Sequence, residues 1–334
     1  MTKIIDTFLF FQELDLLEIR LAYLAPYIDR FIIVEACQTF SGKQKEFIFE
    51  KNLERYKKYL HKIEYFKISD FHKNYDSVKE YLQQADTFSH NKVLKFLESH
   101  NHYPKTELHW VLDSYHRECI HIALDRIAEP QDIVILSDLD EIPDVEIFSE
   151  SNLSLIKLQP RACRQKEFRY FLNFYKDHNW VGSIAGIQNT ISQFSLNLLR
   201  ADSKSKRTIV NRKLIEKGGY HFTSCGGIKM IKDKIESWGH QEYNNKFIID
   251  NVEKFVRSGQ DIFQRETGTN LIQVDICDTN YFDQEMSTNI SLHHHLISNF
   301  QLKPVRISLI RDMVRRIIIF WNKVLYKLGR RHSS

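Results

Sequence analysis

The stretch Ile133-Val134-Ile135-Leu136-Ser137-Asp138-Leu139-Asp140-Glu141-Ile142-Pro143 decides the fold. Four apolar residues in a row, three of them β-branched, predict a strand buried on both faces, as in a mainly parallel sheet covered by helices. The run ends in acid at Asp138, Asp140 and Glu141, and Pro143 stops it. In open α/β sheets, ligands bind just beyond the carboxyl ends of the strands. Two aspartates one residue apart at such an end can hold a divalent cation against a diphosphate. Carboxylate oxygens suit Mg²⁺ and Mn²⁺, which keep positions open for substrate phosphates. A solvated turn after a strand would carry the same residues.

Upstream, Ile4–Phe11 reads as a first strand. A helix follows, with Leu14, Leu17, Leu21 and Leu24 at helical spacing and Pro26 at its end. Phe31–Val34 is a second buried strand, closing in Glu35-Ala36 and a Thr39-Phe40-Ser41-Gly42 loop. Glu35 thus stands at a strand end like Asp138, as a nucleotide-sugar contact or as an exposed charge. Lys45–Phe49 reads as extended, Asn52–Leu60 as helical and Ile63–Ile68 as a third strand. Helical pieces are expected at Val78–Ala85 and Lys92–Leu97, within a polar zone holding His90, His100, His102 and His109. Leu108–Ala128 reads as one helix with Arg117 in its middle. Arg117 is placed either to grip phosphate bidentately or to pair with Asp113 one turn away.

Downstream, Leu153–Leu158 and Phe168–Tyr175 read as strands, and the aromatics Tyr170, Phe171, Phe174, Tyr175 and Trp180 suit either a core or a sugar platform. Gly218-Gly219-Tyr220-His221-Phe222 follows a basic stretch that includes Lys204, Lys206 and Arg207. His221 is a structural histidine or a third metal ligand. Lys229–Trp238 and Glu242–Arg257 read as helices, and His293-His294-His295 as exposed loop without metal.

Composition narrows the function classes. With 334 residues, 43% hydrophobic and 27% charged, the chain is a folded globular protein. It has 11 Gly but neither a Gly-x-Gly-x-x-Gly nor a P-loop pattern, which argues against dinucleotide enzymes and P-loop kinases. Five scattered cysteines without a Cys-x-x-Cys pair point to a reducing compartment, with no structural zinc. Net charge is +4, but from Lys303 onward there are nine Lys/Arg against Asp312 alone. The body is therefore mildly acidic, and nucleic acid is not an expected partner. In the tail, Ile310, Val314, Ile317, Trp321 and Leu328 share one helical face and Arg311, Arg315 and Lys323 the other. That is the pattern of an in-plane helix on an anionic membrane surface, through 303–331, or of a helix docked on protein. Asp6 and Gln12-Glu13 interrupt any signal peptide, and no window offers the roughly 20 apolar residues of a membrane span. The expected location is peripheral, on the cytoplasmic face of a membrane.

Several of these segments together resemble glycosyltransferase family 17. They are Asp6–Leu21, Phe31–Ala36 with Thr39–Gly42, Ser137–Pro143, Gly218–Thr223 and Lys234-Ile235-Glu236-Ser237-Trp238-Gly239-His240-Gln241-Glu242, in that order across about residues 4–265. The resemblance implies an α/β fold of GT-A type, a mainly parallel nucleotide-binding sheet flanked by helices. Residues 1–300 would form it, with a nucleotide-sugar half (1–145) and an acceptor half (146–300), followed by the basic amphipathic helix of 301–334. It implies inverting transfer from a nucleotide sugar (UDP-GlcNAc in the animal members) to a glycan or glycolipid acceptor. Asp140 would be the principal carboxylate for Mn²⁺ or Mg²⁺, Asp138 the ribose or second metal contact, and His221 the later ligand. The animal members carry an N-terminal membrane anchor that this sequence does not show, so a bacterial-type surface polysaccharide or glycoconjugate is the expected product. Arg117 would steady the leaving diphosphate. The catalytic base is sought among Glu242, Asp261 and Asp177, with Glu242 preferred. Two other readings stay open: an Asp-x-Asp nucleotidyl- or phosphotransferase, and a glycan-binding scaffold with a dead site.

Overall fold

The computed structural model describes residues 2–99, 103–203, 211–263, 265–266, 268, 271–304 and 317. The predicted tail helix, His100, His102, and Lys204, Lys206 and Arg207 of the basic stretch lie outside these, apart from Ile317. The chain opens with β1 (Ile4–Phe10), α1 (Leu14–Leu24), β2 (Arg30–Ala36), α2 (Ile48–Lys51) and β3 (Ile63–Ile68). Four helices follow: α3 (Tyr75–Ala85), α4 (Phe88–Ser99), α5 (Leu108–Glu118) and α6 (Ile120–Ile127). They lead into β4 (Ile133–Asp138) and β5 (Glu141–Ile142). Then come α7 (Glu150–Leu158), β6 (Arg161–Arg169), β7 (Phe174–Ile187), α8 (Gln188–Ile191) and α9 (Leu196–Ser203). The remainder holds β8 (Asn211–Ile215), β9 (Tyr220–Thr223), α10 (Gly227–Ser237), α11 (Lys246–Ser258), β10 (Ile272–Gln273) and α12 (Gln284–Ser291).

The fold is mixed α/β. One curled, mostly parallel sheet has the order β3-β2-β1-β4-β7-β6-β9-β5, with β8 on β6 and β10 on β7. β3, β2, β1 and β4 run parallel. Their apolar runs split between two cores, as burial on both faces requires. Phe31, Ile33 and Ile135 pack with Leu17, Leu21 and Leu24 of α1. Ile32, Val34, Val134 and Leu136 pack with Val111, Tyr115 and Leu124 of α5 and α6. Both predicted halves contribute strands to this one sheet.

The curl follows from connectivity. β4 and β5 are four places apart in the strand order yet only Leu139 and Asp140 separate them. Four flat strand spacings would span roughly 19 Å, whereas three residue steps reach only about 10 Å. The sheet must therefore bend back, and the bulges along β6–β7 at Ala162/Arg164 and Gln165/Glu167 are where it does. Leu139-Asp140 is the link that closes it.

Several expectations need correction. Leu153–Leu158 belongs to helix α7, not a strand; only Ile156 is buried, while Leu155 and Leu158 are exposed. A short apolar run has no period long enough to separate the two states. Leu108–Ala128 is two helices broken at Cys119. Phe168–Tyr175 spans the β6–β7 turn, where Tyr170 adopts φ 71° and its hydroxyl donates to Gln260 O. Lys45–Phe47 has no strand partner before α2 begins at Ile48, and Leu53–Tyr56 and Leu60–Lys62 are 3-10 turns. The helix after Trp238 starts at Lys246, behind a 3-10 turn at Gln241–Tyr243. His293 is buried and faces Asp15 rather than solvent.

The α5–α6 pair carries three buried imidazoles, His109, His116 and His121. Burial pushes His116 and His121 down to about 3 from the usual 6.5. Both are neutral in the fold, so between pH 6.5 and 3 the unfolded chain binds more protons. Their contribution to stability is present above pH 6.5 and is lost as pH falls through that window. The melting temperature is expected to drop from pH 7 to pH 4.5, and His116→Phe should flatten the slope, as differential scanning calorimetry would register. An unchanged slope in that variant would place the acid sensitivity elsewhere.

Candidate active site

Asp138 and Asp140 stand where β4 ends and the sheet closes. Their geometry is imposed by Arg20, a wholly buried residue on the apolar stripe of α1. Its guanidinium donates to both oxygens of buried Asp6, at 2.6 and 2.8 Å. It also donates to Ser137 Oγ at 2.5 Å. Through Nη1 it reaches the carbonyls of Asp138, Leu139 and Glu141 at 3.0, 3.1 and 2.9 Å. One planar cation thus fixes three peptide orientations of the turn, which a flexible ammonium could not do.

Three further cations front the acids. Asp138 accepts from Arg117 Nη1 and Arg200 Nη2, each at 2.6 Å. Arg117 also pairs with Asp113 at 3.3 Å, so both roles foreseen for it coexist. Glu141 is fully buried and takes Arg200 on both oxygens, at 2.7 and 2.9 Å, and the Trp180 indole N–H at 2.9 Å. Asp140 accepts from Lys234 Nζ at 3.0 Å. Burial alone would pull Arg117, Arg200 and Lys234 down, but the neighbouring carboxylates outweigh it and hold all three as cations. Arg200 arrives because Glu118 caps α9. Its carboxylate accepts from Ser195 Oγ and from the Leu196 and Asn197 amides.

His221 reaches the site by strand register: β9 pairs antiparallel with β5, with His221 opposite Glu141. Its Nε2 lies 3.8 Å from Asp140 Oδ1, its ring stacks on Trp180 at 4.1 Å, and among the described residues its buried Nδ1 has no hydrogen-bond partner. Burial holds the imidazole neutral. A 3.8 Å gap is too long for a hydrogen bond but matches two ligands of one divalent ion, each about 2.0–2.2 Å from it. Asp140 and His221 therefore fit a metal. Asp138 fits less well, because both its oxygens already carry guanidinium bonds. Asp140 and Lys234 open on a crevice also lined by Gln12, Glu13, Ser224 and Met230.

The other candidates have partners of their own. Glu35 is fully buried, accepting from the Ile48 and Phe49 amides, Lys45 Nζ and the Tyr65 hydroxyl. It anchors the start of α2. Asp261 is buried beside Arg169 and accepts from the Phe263 and Arg265 amides. Asp177 caps the Asn179 amide near Lys176. Glu242 is paired with His240 Nδ1 at 2.8 Å. Sequence reading missed Arg20, Arg200 and Lys234. Arg20 left a signal, being a charge three residues after Leu17 on an apolar stripe and facing a strand with Asp6 in its interior. Arg200 lies about 60 residues from its partners and left none.

Among the described residues, no helix is long and apolar enough to cross a membrane. No curated protein matches the chain. The sequence model of glycosyltransferase family 17 matches residues 1–96. It covers β1, α1 with Arg20, β2 and the Thr39–Gly42 loop, and ends before β4. Over these residues the chain is similar to glycosyltransferase family 17, and that likeness supports a glycosyltransferase enzyme.

Proposed function

We propose that the protein is a metal-dependent inverting transferase on a GT-A-type sheet, moving N-acetylglucosamine from UDP-GlcNAc to a glycan or glycolipid. The observation that carries this is the ring of Arg117, Arg200 and Lys234 around Asp138 and Asp140 at the β4 end. A nucleoside diphosphate needs cations on its phosphates and a carboxylate pair behind them, and this ring supplies both. Asp140 and His221 would hold Mn²⁺ or Mg²⁺, which when bound neutralises charge on the departing diphosphate. Arg117 and Arg200 hold Asp138 by a guanidinium bond on each oxygen and orient it toward the ribose or a phosphate. Lys234 contributes its charge to whichever phosphate oxygen approaches Asp140. The basic face of residues 303–331 would hold the enzyme on the cytoplasmic leaflet, where a lipid-linked acceptor for a bacterial-type surface glycoconjugate is made.

The test is ligand-induced stabilisation. UDP-GlcNAc with Mn²⁺ at about 100 times its dissociation constant should stabilise the fold by about 2.7 kcal/mol. Lys234→Met should remove most of the thermal shift at the same concentration. A shift that Mn²⁺ does not enhance would argue against the metal. A shift with sugar phosphates but none with nucleotide sugars would favour the phosphotransferase reading.

A further inference from the structure

The glycosyltransferase reading leaves its base unassigned, and this inference rests on that reading. Glu242 does not stand alone: its Oε1 accepts from His240 Nδ1 at 2.8 Å. The His240 ring is walled by aromatics. Trp110 lies 4.7 Å away at 87° and Trp238 4.5 Å away at 61°. His240 is partly exposed, and among the described residues its Nε2 has no hydrogen-bond partner. We propose that His240 is the general base for the acceptor hydroxyl, with Glu242 as its positioning residue and the two tryptophans as the acceptor-sugar walls.

Placement supports this. His240 follows α10, whose Lys234 holds Asp140 from one turn before Trp238. The adjoining Gly239 backs on Trp110 and Asp113: a methyl group there would lie 3.5 Å from the indole and 3.9 Å from Asp113 Cβ. Asp113 bonds Arg117, and Arg117 bonds Asp138. Two side-chain links therefore join Asp113, behind the Gly239 backbone, to the acidic strand end. On the other side, Ser41 N donates to Ser237 O, tying the Thr39–Gly42 loop to the same corner. The other carboxylates proposed as bases are committed: Asp261 is buried on backbone amides and Asp177 caps its own turn.

The chemistry assigns the roles. With the Nδ1 proton donated to Glu242, the Nε2 lone pair is free to accept. The acceptor O–H proton passes to Nε2 as the hydroxyl oxygen bonds the anomeric carbon. The bond from that carbon to the phosphate oxygen breaks on the opposite face, and its electron pair leaves with the nucleoside diphosphate. The resulting imidazolium is held by the Glu242 carboxylate and then loses its proton to water. The two indoles beside the imidazole offer apolar surface suited to the C–H groups of a pyranose.

The experiment follows UDP release from UDP-GlcNAc with Mn²⁺ and a mannose-terminated glycan. Loss of a general base costs roughly 10²–10⁴-fold. His240→Ala is expected to lower kcat by that factor with the donor KM within about twofold, and added imidazole should restore turnover in proportion to its concentration. Glu242→Gln, which still accepts from Nδ1–H, should keep more activity than Glu242→Ala. Imidazole ¹⁵N spectra of histidine-labelled protein, assigned with His240→Ala, should show the Nδ1–H tautomer at pH 7.5. Turnover in His240→Ala above a third of wild type overturns the proposal, and so does the Nε2–H tautomer. No UDP release by the wild-type protein overturns the transferase reading along with it. Full release with the wrong tautomer overturns the base alone.

Discussion

Replacing Arg20 by Met is expected to lower the free energy of unfolding by about 3–5 kcal/mol, the usual cost of removing one partner of a buried ion pair. The pair with Asp6 is wholly enclosed, with both side chains at zero exposure. Met fills similar volume but leaves the Asp6 carboxylate unpaired and three turn carbonyls without their donor. Against a typical total of 5–15 kcal/mol, that is enough to depopulate the fold at moderate temperature. Urea denaturation measures it. Combining Arg20→Met with Asp6→Asn should recover part of the loss, because the uncompensated charge is then gone. The Asp138 and Leu139 carbonyls would still lack the guanidinium, while Glu141 O keeps Ser183 Oγ, so recovery should be incomplete. A single-variant loss below about 1 kcal/mol would mean that water reaches Asp6.

The largest effect on turnover is expected from Asp140→Asn. Asn retains the shape and can still accept from Lys234, so the melting temperature should change little. It loses the charge with which Asp140 would hold a divalent ion. With metal stabilisation worth several kcal/mol and each 1.36 kcal/mol a factor of ten, sugar transfer should fall roughly 10³-fold. Chelation of divalent ions from the wild-type protein should produce the same loss, reversed by Mn²⁺. Asp138→Asn should be milder, because its partners are two arginines. Equal losses at the two positions would show that Asp138 also ligates the ion.

What could be read without coordinates was what local pattern encodes. β1, β2, β3 and β4 carry apolar runs whose alternate residues feed two cores, and α1 has an unbroken apolar spacing. The acid at the β4 end was visible because three carboxylates crowd into the residues directly after four buried apolar ones. The failures have physical causes. Leu153–Leu158 is too short for its period to register. Cys119 interrupts an amphipathic pattern that continues through it, so α5 and α6 read as one helix. Glu35 sits at a strand end like Asp138, but its fate was decided by the amides of Ile48 and Phe49, which strand position does not reveal. The compensating cations were the least legible part, since Arg200 and Lys234 meet their acids only through tertiary structure.

The two-residue link between β4 and β5 also orders events during synthesis. Chain elongation delivers Asp138, Asp140 and Glu141 together, as an acidic strand end. The strand that receives β5 is β9, about 80 residues later, and domains mature as the ribosome extends them. Arg200 emerges in between and Lys234 after β9. Until then the nascent chain carries three neighbouring negative charges with Arg117 and Arg20 as their earlier counterions. The cation ring around Asp138 and Asp140 therefore cannot assemble on the first half of the chain alone. The acids of the β4 end are translated first but gain their full set of counterions last, once β9 and α10 have formed behind them.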